Sequence, residues 1–483
     1  MQRLSSETLG SLNPVVTTPD YNRSSLVAGI VHFGAGNFHR AHQAVYCDAL
    51  LNLGETEWAI TGVSLRSPSM RDNLAPQDYL YSQLTLGENT SFQIIGAIKS
   101  ILVAPENPSA VLDAVAKATT QLVTMTITEK GYCLNNGAID TTQSDIQHDQ
   151  QSLAEPRSIY GYLAAALIQR FESNQASLTI LCCDNITHGG AHLKQGVTQL
   201  LQQHAPQVLT WVAAKVSFCA SMVDRVTPAT TDALKQQVAD KLGVIDQAPV
   251  AAEPFTQWVI EDKFSGKRPP FDKVGATFVD DIAPYERVKL RFLNAGHSML
   301  AALGYLAGDR YVHEALQRPL LADYTENTLK HEVLPAVDVP QDIDGTEYID
   351  QVLARFRNAN LPYACLQVGT DSSQKIQQRW FPSIDSALIH GARSNHLAFA
   401  LAAWVVYIRQ ALQASDLNDP RKDDFAKHLA QSEEQDVHNF LTLAGAEKFA
   451  FFKQTSFMAQ VKAYQSAIAE QGVEVALQPL ATS

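Results

Sequence analysis

The 483-residue sequence is poor in several features that mark particular classes of protein. Its formal net charge is -13, and its lysines and arginines form no long run, so a basic nucleic-acid-binding face is not expected. Its six cysteines show no CxxC spacing and are too few for a disulfide framework. They are predicted to be packed thiols in a reducing compartment.

Long apolar runs are also missing. The first ten residues, MQRLSSETLG, have no apolar core of a signal peptide, and the longest apolar stretch, 397–408, is too short to span a bilayer. The sequence therefore predicts a cytoplasmic protein that acts on a small molecule, with neither a membrane nor a nucleic acid as partner. It indicates nothing about the oligomeric state.

Two kinds of hydrophobic pattern divide the chain. Before residue 283, short apolar runs alternate with helical patterns such as 157–172, which indicates a parallel sheet with helices on both faces. These runs cover 26–33, 58–65, 94–104, 122–128 and 178–185. After residue 283 only helical patterns follow, at 284–306, 313–334, 346–358, 384–413, 420–444 and 455–470.

The length of the chain also favours two domains. We predict an α/β protein with an N-terminal Rossmann-type doubly wound sheet at 1–283 and a mainly α-helical substrate-binding and catalytic domain at 284–483. The active site is expected in the cleft between the two domains.

A glycine turn follows the first predicted strand. Gly34-Ala35-Gly36 stands where a dinucleotide-binding fold brings backbone amides to a pyrophosphate, although position 39 is histidine instead of the third glycine. The second strand ends in Arg66 and Ser67, where an acidic residue would accept the ribose hydroxyls of NAD. NAD is the expected cofactor. NADP stays an alternative, because Arg66 could bind its extra phosphate or could be a solvated strand end.

The helical pattern from 284 carries polar residues among leucines. At about 100° per residue from Lys289, Glu286 lies near 60°, His297 near 80° and Asn294 near 140°, all within one arc. Burial against leucines would lower the pKa of Lys289 and let it act as a base. Alternatively, the lysine amine reaches water and the histidine is simply packed.

Six ordered segments resemble the mannitol dehydrogenase family, the polyol-specific long-chain dehydrogenases. The resemblance spans nearly the whole chain and implies a metal-independent, nicotinamide-dependent oxidoreductase acting on a polyol or a hexuronate. The segments are HFGAGNFHRAHQAVY (32–46), TITEKGYC (126–133), CDNITHGG (183–190), MVDRVTP (222–228), EPFTQWVIEDKF (253–264) and KLRFLNAGHS (289–298).

The resemblance also implies roles for individual residues. Lys289 would be the general acid/base, Asn185 and Asn294 would stabilise the developing alkoxide, and His297 would orient the substrate. Glu286 would exchange protons between the lysine and solvent. The implied residues near the substrate and the cofactor are Asp224 for the former and Phe33, Gly34, Ala35, Gly36, Asn37, Phe38, Arg66, Glu129 and Lys130 for the latter.

Two segments depart from the family pattern. The usual Asn-Gly after CDN is replaced by His188-Gly189-Gly190, and the segment after the second strand lacks the acidic residue of the mannitol 2-dehydrogenases. The first departure concerns the local loop and leaves Asn185 in place. The second puts the preference for NAD in doubt.

The segment 366–383 bears on the substrate. It resembles the fructuronate reductases of the family more than the mannitol 2-dehydrogenases, although Ser372 replaces a usual glycine. Gln367 stands where the mannitol enzymes have an arginine near the substrate. Lys375 or Arg379 could pair with the carboxylate of a ketouronate, or both could be ordinary surface charges on a loop. We expect a fructuronate reductase, with mannitol 2-dehydrogenase activity as the alternative.

Three other interpretations remain open. Tyr285 and Lys289 form the YxxxK of the short-chain dehydrogenases, in which tyrosine is the acid/base, although that motif normally lies within a single Rossmann domain. A protein that senses a dinucleotide without turnover would keep the fold but would not need the lysine. A zinc site would use His39, His42 and Cys47, or His188 with Cys182 and Cys183.

Overall fold

The computed structural model describes residues 1–135, 137–391, 394–429 and 435–481. The chain divides into two compact units, Met1–Ile282 and Ala283–Ser483. The first unit contains the sheets, and the second is helical. This α/β unit followed by a mainly helical unit confirms the predicted fold class.

Three sheets form in the described part of the first unit. Eight strands make the main sheet, in the order β13-β12-β10-β9-β6-β1-β2-β5, while β11-β3-β4 and β7-β8 form two smaller sheets. The strands are β1 (Ile30–Phe33), β2 (Ile60–Ser64), β3 (Tyr81–Thr85), β4 (Ser91–Ile95), β5 (Ile98–Val103), β6 (Leu122–Met125), β7 (Leu134–Asn135), β8 (Ala138–Ile139), β9 (Leu178–Cys182), β10 (Val216–Asp224), β11 (Val250–Ala252), β12 (Gln257–Glu261) and β13 (Thr277–Val279).

The central part of the main sheet has the topology of a dinucleotide-binding fold. From β5 to β10 all neighbouring strands are parallel, and their order corresponds to 3-2-1-4-5-6 of the doubly wound fold. Every residue of β1, β6 and β9 is buried, which explains why these strands appear in the sequence as continuous apolar runs. At the edge beyond β10, β12 pairs antiparallel with it.

The helices of the first unit flank this sheet, and two predicted elements differ from the observed ones. The helical stretch that follows the glycine turn is interrupted at His42, and Gly96 divides the run 94–104 between β4 and β5, which belong to different sheets. The helices are α1 (Asn37–Ala41), α2 (Gln43–Asn52), α3 (Ser69–Leu74), α4 (Pro108–Ala116), α5 (Ser144–Gln151), α6 (Ile159–Ser173), α7 (Gly189–His204), α8 (Leu209–Lys215) and α9 (Asp232–Leu242).

The second unit consists of helices around one apolar core. Several predicted helices are divided: 313–334 contains α12, α13 and a π-helical turn at Thr328–Val333, and 384–413 contains α17 and α18. The helices are α10 (Ala283–Val288), α11 (Ala295–Ala307), α12 (Val312–Ala315), α13 (Pro319–Asn327), α14 (Gly345–Phe356), α15 (Cys365–Val368), α16 (Ser372–Arg379), α17 (Phe381–Ile389), α18 (Asn395–Gln413), α19 (Lys422–Ala426), α20 (Asp436–Leu443), α21 (Thr455–Gln471) and α22 (Val473–Ala481).

Part of the predicted helix 420–444 lies outside the described residues, at 430–434; α19 and α20 account for stretches on either side. Residues 392 and 393, between α17 and α18, lie outside them as well.

Helix α18 explains the longest apolar run of the sequence. All residues from 397 to 408 are buried, because α18 packs against α11, α20 and α21 inside the helical unit. A helix covered on every side needs no polar face. Among the described residues, none of the helices combines the length and the apolar character that a membrane span would require.

Candidate active site

The glycine turn after β1 leaves no room for a side chain at its first position. Gly34 has a φ of +93°, and a Cβ there would overlap the carbonyl oxygen of Thr126 at the end of the neighbouring strand β6. The Gly34 amide donates to Val63 at 2.8 Å, and Gly36 donates to the Gly34 carbonyl at 2.7 Å. The turn is therefore held between β2 and β6, as a close backbone approach to a ligand requires.

His39 stands in place of the third glycine of the dinucleotide motif, and its side chain does not separate α1 from β1. The imidazole of His39 lies flat on that of His32 in β1, with ring centroids 3.3 Å apart and an interplanar angle of 13°. The ring of His32 is fixed by Thr124 at 2.7 Å and Thr126 at 2.9 Å. Burial lowers the pKa of His32 to about 3 and also lowers that of His39, so both rings are neutral at physiological pH.

A cavity of about 720 Å³ opens beside the glycine turn. Its volume suits a cofactor or a small ligand, and parts of its wall come from the carboxyl ends of β1, β2 and β6, the edge where doubly wound sheets bind ligands. The predicted cofactor residues that line it are Gly34, Ala35, Gly36, Arg66 and Lys130. This wall and the crowded glycine turn fit a dinucleotide.

The other predicted cofactor residues do not line this cavity. Phe33 is completely buried in β1, and the ring of Phe38 stacks on His42 with centroids 5.1 Å apart. The side chain of Asn37 accepts a hydrogen bond from Arg40 at 2.7 Å and donates one to Thr230. Glu129 lies exposed in the 3-10 turn Glu129–Tyr132.

Several lining residues were not predicted from the sequence. Ligands bind at the carboxyl ends of parallel strands, and this rule could have indicated the lining residues near the ends of β2 and β6. No sequence pattern indicates the lining residues near the start of α6. The additional lining residues at the ends of β2 and β6 and around the start of α6 include Ser64, Ser67, Ile127, Thr128, Gly131, Arg157, Ser158 and Tyr162.

The candidate substrate residues of the first unit lie at neighbouring strand ends. Asn185 follows β9 and is exposed, while Asp224 is the last residue of β10 and is buried. Because β9 and β10 are parallel neighbours, both residues lie at the carboxyl edge of the sheet. Asp184, one residue before Asn185, accepts hydrogen bonds from the loop after β6 that lines the cavity.

The helix that carries the candidate base contains a π-helical turn. Lys289–Asn294 is π-helical between α10 and α11. Each amide in such a turn bonds to the carbonyl five residues earlier, so Lys289 and Asn294 are closer in direction than the same spacing in an α-helix would place them. The angular separation of about 140° expected for an ideal α-helix is therefore wrong. The π turn brings the candidate base and the candidate amide donor closer in direction than the sequence predicted.

The other polar residues of this helix are half-buried. His297 in α11 stacks on Phe356 with ring centroids 4.1 Å apart, and Tyr363 meets it edge-on at 5.2 Å. These two contacts fix the plane of the imidazole. Glu286 lies in α10, one α-helical turn before Lys289.

Arg379 at the end of α16 contacts the same helix. Its Nη1 donates to the carbonyl of Asn294 at 3.1 Å and to the hydroxyl of Ser298 at 2.7 Å. Burial lowers its pKa to about 10, so the guanidinium still carries its charge at neutral pH. Within the ranges that the structure describes, the guanidinium bonds to a carbonyl and a hydroxyl and to no carboxylate.

The remaining candidates of segment 366–383 lie apart from this contact. Lys375, also in α16, donates to the carbonyl of Thr370 at 2.5 Å. Gln367 in α15 is exposed. The expectation that Lys375 and Arg379 might lie on a loop is wrong, because both belong to a helix in which residues four apart share a face.

Tyr285 is poorly suited to the role of a base. Its hydroxyl donates to both carboxylate oxygens of Asp342, at 2.8 and 2.9 Å. Burial and this carboxylate raise the pKa of Tyr285 to about 12, whereas the tyrosine of a YxxxK pair needs a lowered pKa.

The residues of the alternative zinc site have other contacts. His39 stacks on His32, a ring nitrogen of His42 bonds to the carbonyl of Gln257 at 2.9 Å, and Cys47 is a buried thiol with a raised pKa. In the part of the chain that the structure describes, no group of three or more His, Cys, Asp or Glu residues is arranged to hold a metal ion.

Comparisons with known proteins cover both units. The family model described as the mannitol dehydrogenase Rossmann domain matches residues 28–273, and that of the mannitol dehydrogenase C-terminal domain matches residues 281–469. D-mannonate oxidoreductase of Escherichia coli K12 is 36% identical over 477 residues, which are 96% of this chain and 98% of that protein.

Two mannitol 2-dehydrogenases are similar to this chain over most or all of its length. The enzyme of Aspergillus fumigatus is 39% identical over 407 residues, 82% of this chain and 81% of its own. The solved ternary complex of Pseudomonas fluorescens mannitol 2-dehydrogenase with NAD and D-mannitol has 34% identity and a TM-score of 0.83, with both chains covered completely.

Proposed function

The chain belongs to the mannitol dehydrogenase family, and we propose that it is a hexuronate oxidoreductase that interconverts fructuronate and D-mannonate with NAD. It is a nicotinamide-dependent enzyme that acts on CH–OH groups. The cavity at the glycine turn supports cofactor binding in the first unit. The near-complete match to a D-mannonate oxidoreductase supports a sugar acid as substrate.

In this proposal Lys289 carries the proton transfer. During oxidation the hydroxyl proton of the alcohol passes to the neutral amine of Lys289, and the C–H bond breaks as the carbonyl forms. Bound in the cavity at the glycine turn, a nicotinamide would supply the acceptor for the hydride that leaves that carbon. In the reduction of the ketone both transfers run in reverse, and the ammonium group protonates the new alkoxide.

Amide groups stabilise the oxygen whose charge changes. The side-chain amides of Asn294 and Asn185 donate to it, because a developing alkoxide needs preorganised donors. The π turn supports this role for Asn294, since it directs residue 294 towards the side of Lys289. His297, with its ring plane held by Phe356, orients the sugar, and Glu286 passes protons between Lys289 and solvent.

The environment of Arg379 is the observation that favours a sugar acid as the substrate. A desolvated guanidinium bound only to a carbonyl and a hydroxyl among the described residues keeps its full charge for an anion. It does so beside Asn294, the candidate donor to the reacting oxygen. Lys375 on the same face of α16 supplements this charge, while Asp224 and Gln367 contact the hydroxyl groups of the sugar.

A second candidate is mannitol 2-dehydrogenase activity. The structural similarity to the Pseudomonas fluorescens enzyme favours it. Arg379 distinguishes the two substrates, because mannitol and fructose have no carboxylate.

For the cofactor, Arg66 in the cavity wall leaves NADPH as the alternative to test. The sparse free cysteines, five of which are buried, support a cytoplasmic location.

The test compares the reduction of fructuronate, tagaturonate and fructose with NADH and NADPH by absorbance. We expect fructuronate with NADH to give the highest kcat/KM. Arg379→Met should lower the ratio of kcat/KM for fructuronate over fructose roughly 10- to 100-fold, because a charge-assisted hydrogen bond contributes about 1.5–3 kcal/mol. Ser298→Ala, which removes one anchor of Arg379 and keeps its charge, is the matched control. An unchanged ratio in Arg379→Met would refute the role of Arg379.

A further inference from the structure

Thr128 has an unfavourable backbone conformation in the wall of the cavity. Its φ of +66° and ψ of 159° belong to a region that is adopted essentially by glycine, and a β-branched side chain makes this conformation still less favourable. Such a conformation persists only where the surroundings hold it. The position of Thr128 therefore depends on interactions with other parts of the chain.

The carboxylate of Asp184 provides these interactions. It accepts hydrogen bonds from the amides of Ile127 at 2.8 Å and Thr128 at 3.0 Å, and from the hydroxyl of Tyr132 at 2.8 Å. Tyr132 is completely buried, and its own carbonyl accepts a bond from Tyr160 in α6. Both ends of the loop 127–132 are thus tied to one side chain.

The loop held in this way forms part of the proposed cofactor site. Ile127, Thr128, Lys130 and Gly131 line the same cavity as the glycine turn. Asp184 itself does not line the cavity, so it acts on a ligand there only through the loop.

We propose that Asp184 is a positioning residue for the cofactor, which holds Thr128 in its unfavourable conformation and thereby fixes the wall of the dinucleotide pocket. This inference rests on the proposed function, in which the cavity binds NAD. Asp184 directly precedes Asn185, so the residue that fixes the pocket wall also fixes the start of the segment that carries the proposed amide donor.

The test is a double-mutant cycle between positions 184 and 128. The full-length protein is titrated with NADH without substrate, and Kd is measured by fluorescence. Asp184→Ala should raise Kd about tenfold, since Thr128 then relaxes to a negative φ. Thr128→Gly should raise it two- to threefold through lost side-chain contacts. In the double variant glycine adopts the positive φ without the carboxylate, so Kd should return to within about threefold of the wild-type value.

Rescue by glycine distinguishes positioning from general stabilisation. If Asp184 only stabilises the fold, the Thr128→Gly substitution will not restore affinity, and the two effects will multiply to about 20- to 30-fold; this result overturns the proposal. Asp184→Asn, which keeps one acceptor oxygen, should fall between wild type and Asp184→Ala. Thr142→Gly, at an exposed threonine that does not line the cavity, is the control for adding a glycine and should not rescue.

The result separates this proposal from the proposed function. A wild-type protein that binds neither NADH nor NADPH would refute the proposed function and with it this inference. A protein that binds NADH but reduces none of the sugars would contradict only the proposed reaction, and the cycle would still decide the role of Asp184.

Discussion

The two units supply their candidate residues by different means. In the first unit the wall of the candidate cofactor cavity includes two backbone segments, the glycine turn and the loop 127–132, which His32, Thr126 and Asp184 hold in place. In the second unit the candidate catalytic groups are side chains on the helix 283–307, where a π turn sets the relative direction of Lys289 and Asn294. We therefore expect the first unit to be sensitive to atoms added at its backbone turns, and the second unit to be sensitive to the replacement of single side chains.

This difference divides the expected effects of mutation. Changes at the glycine turn and in the loop 127–132 of the first unit should weaken cofactor binding and leave turnover at saturating cofactor nearly intact. Changes in the second unit should reduce turnover and leave cofactor affinity unchanged. Three substitutions test this division.

The largest effect is expected for Lys289→Ala. Loss of the acid/base should reduce kcat on the order of 100- to 10,000-fold, since no other group transfers the proton in the proposed reaction. The Kd for NADH, measured by fluorescence, should stay within about twofold of the wild-type value. Lys422→Ala, at an exposed lysine of the same unit, is the control. A folded Lys289→Ala variant that keeps most of its turnover would defeat the mechanism.

Gly34→Ala should have an intermediate effect on the other unit. The new methyl group would overlap the Thr126 carbonyl at a positive φ, so the turn must move, and we expect the Kd for NADH to rise on the order of 10- to 100-fold. Gly54→Ala is a matched control, because Gly54 has a φ of +87° but nothing within 4 Å of an added Cβ. If both variants bind NADH equally well, crowding at the glycine turn has no role in binding.

The smallest effect is expected for Tyr285→Phe. The hydroxyl of Tyr285 donates to Asp342, and its pKa is raised to about 12, so it should contribute to packing and not to proton transfer. Turnover should change less than about threefold, measured as initial rates at saturating substrate. Near-total loss of activity would instead favour tyrosine chemistry of the short-chain type and would reassign Lys289.

Much of the fold could be predicted because buried parallel strands and amphipathic helices leave strong periodic patterns. The runs that contain β1, β2, β6 and β9 were recognised on this basis. The division of 94–104 was not, since it depends on contacts distant in sequence: the Gly96 amide donates to Asp48, and a Cβ at Gly96 would crowd Pro19 and Tyr21.

The candidate site was predictable in part. The glycine turn and the polar residues at 289, 294 and 297 are visible in the sequence, although their roles remain predictions. The π turn was not, because it depends on a shift in hydrogen bonding that leaves the residue types of a helix unchanged. The contact between Arg379 and Asn294 joins residues 85 positions apart, a separation at which periodicity carries no information.

The π turn also bears on how this helix can change over time. A π turn accommodates one residue more than an α-helix needs, so α10 and α11 are out of phase with each other by that one residue. Val288 of α10 and Met299 and Leu303 of α11 all lie in the apolar core, so both parts of the helix are packed in spite of this difference in phase. Deletion of one residue within the turn would therefore rotate α10 by roughly 100° relative to α11 and move Val288 out of its place in the core.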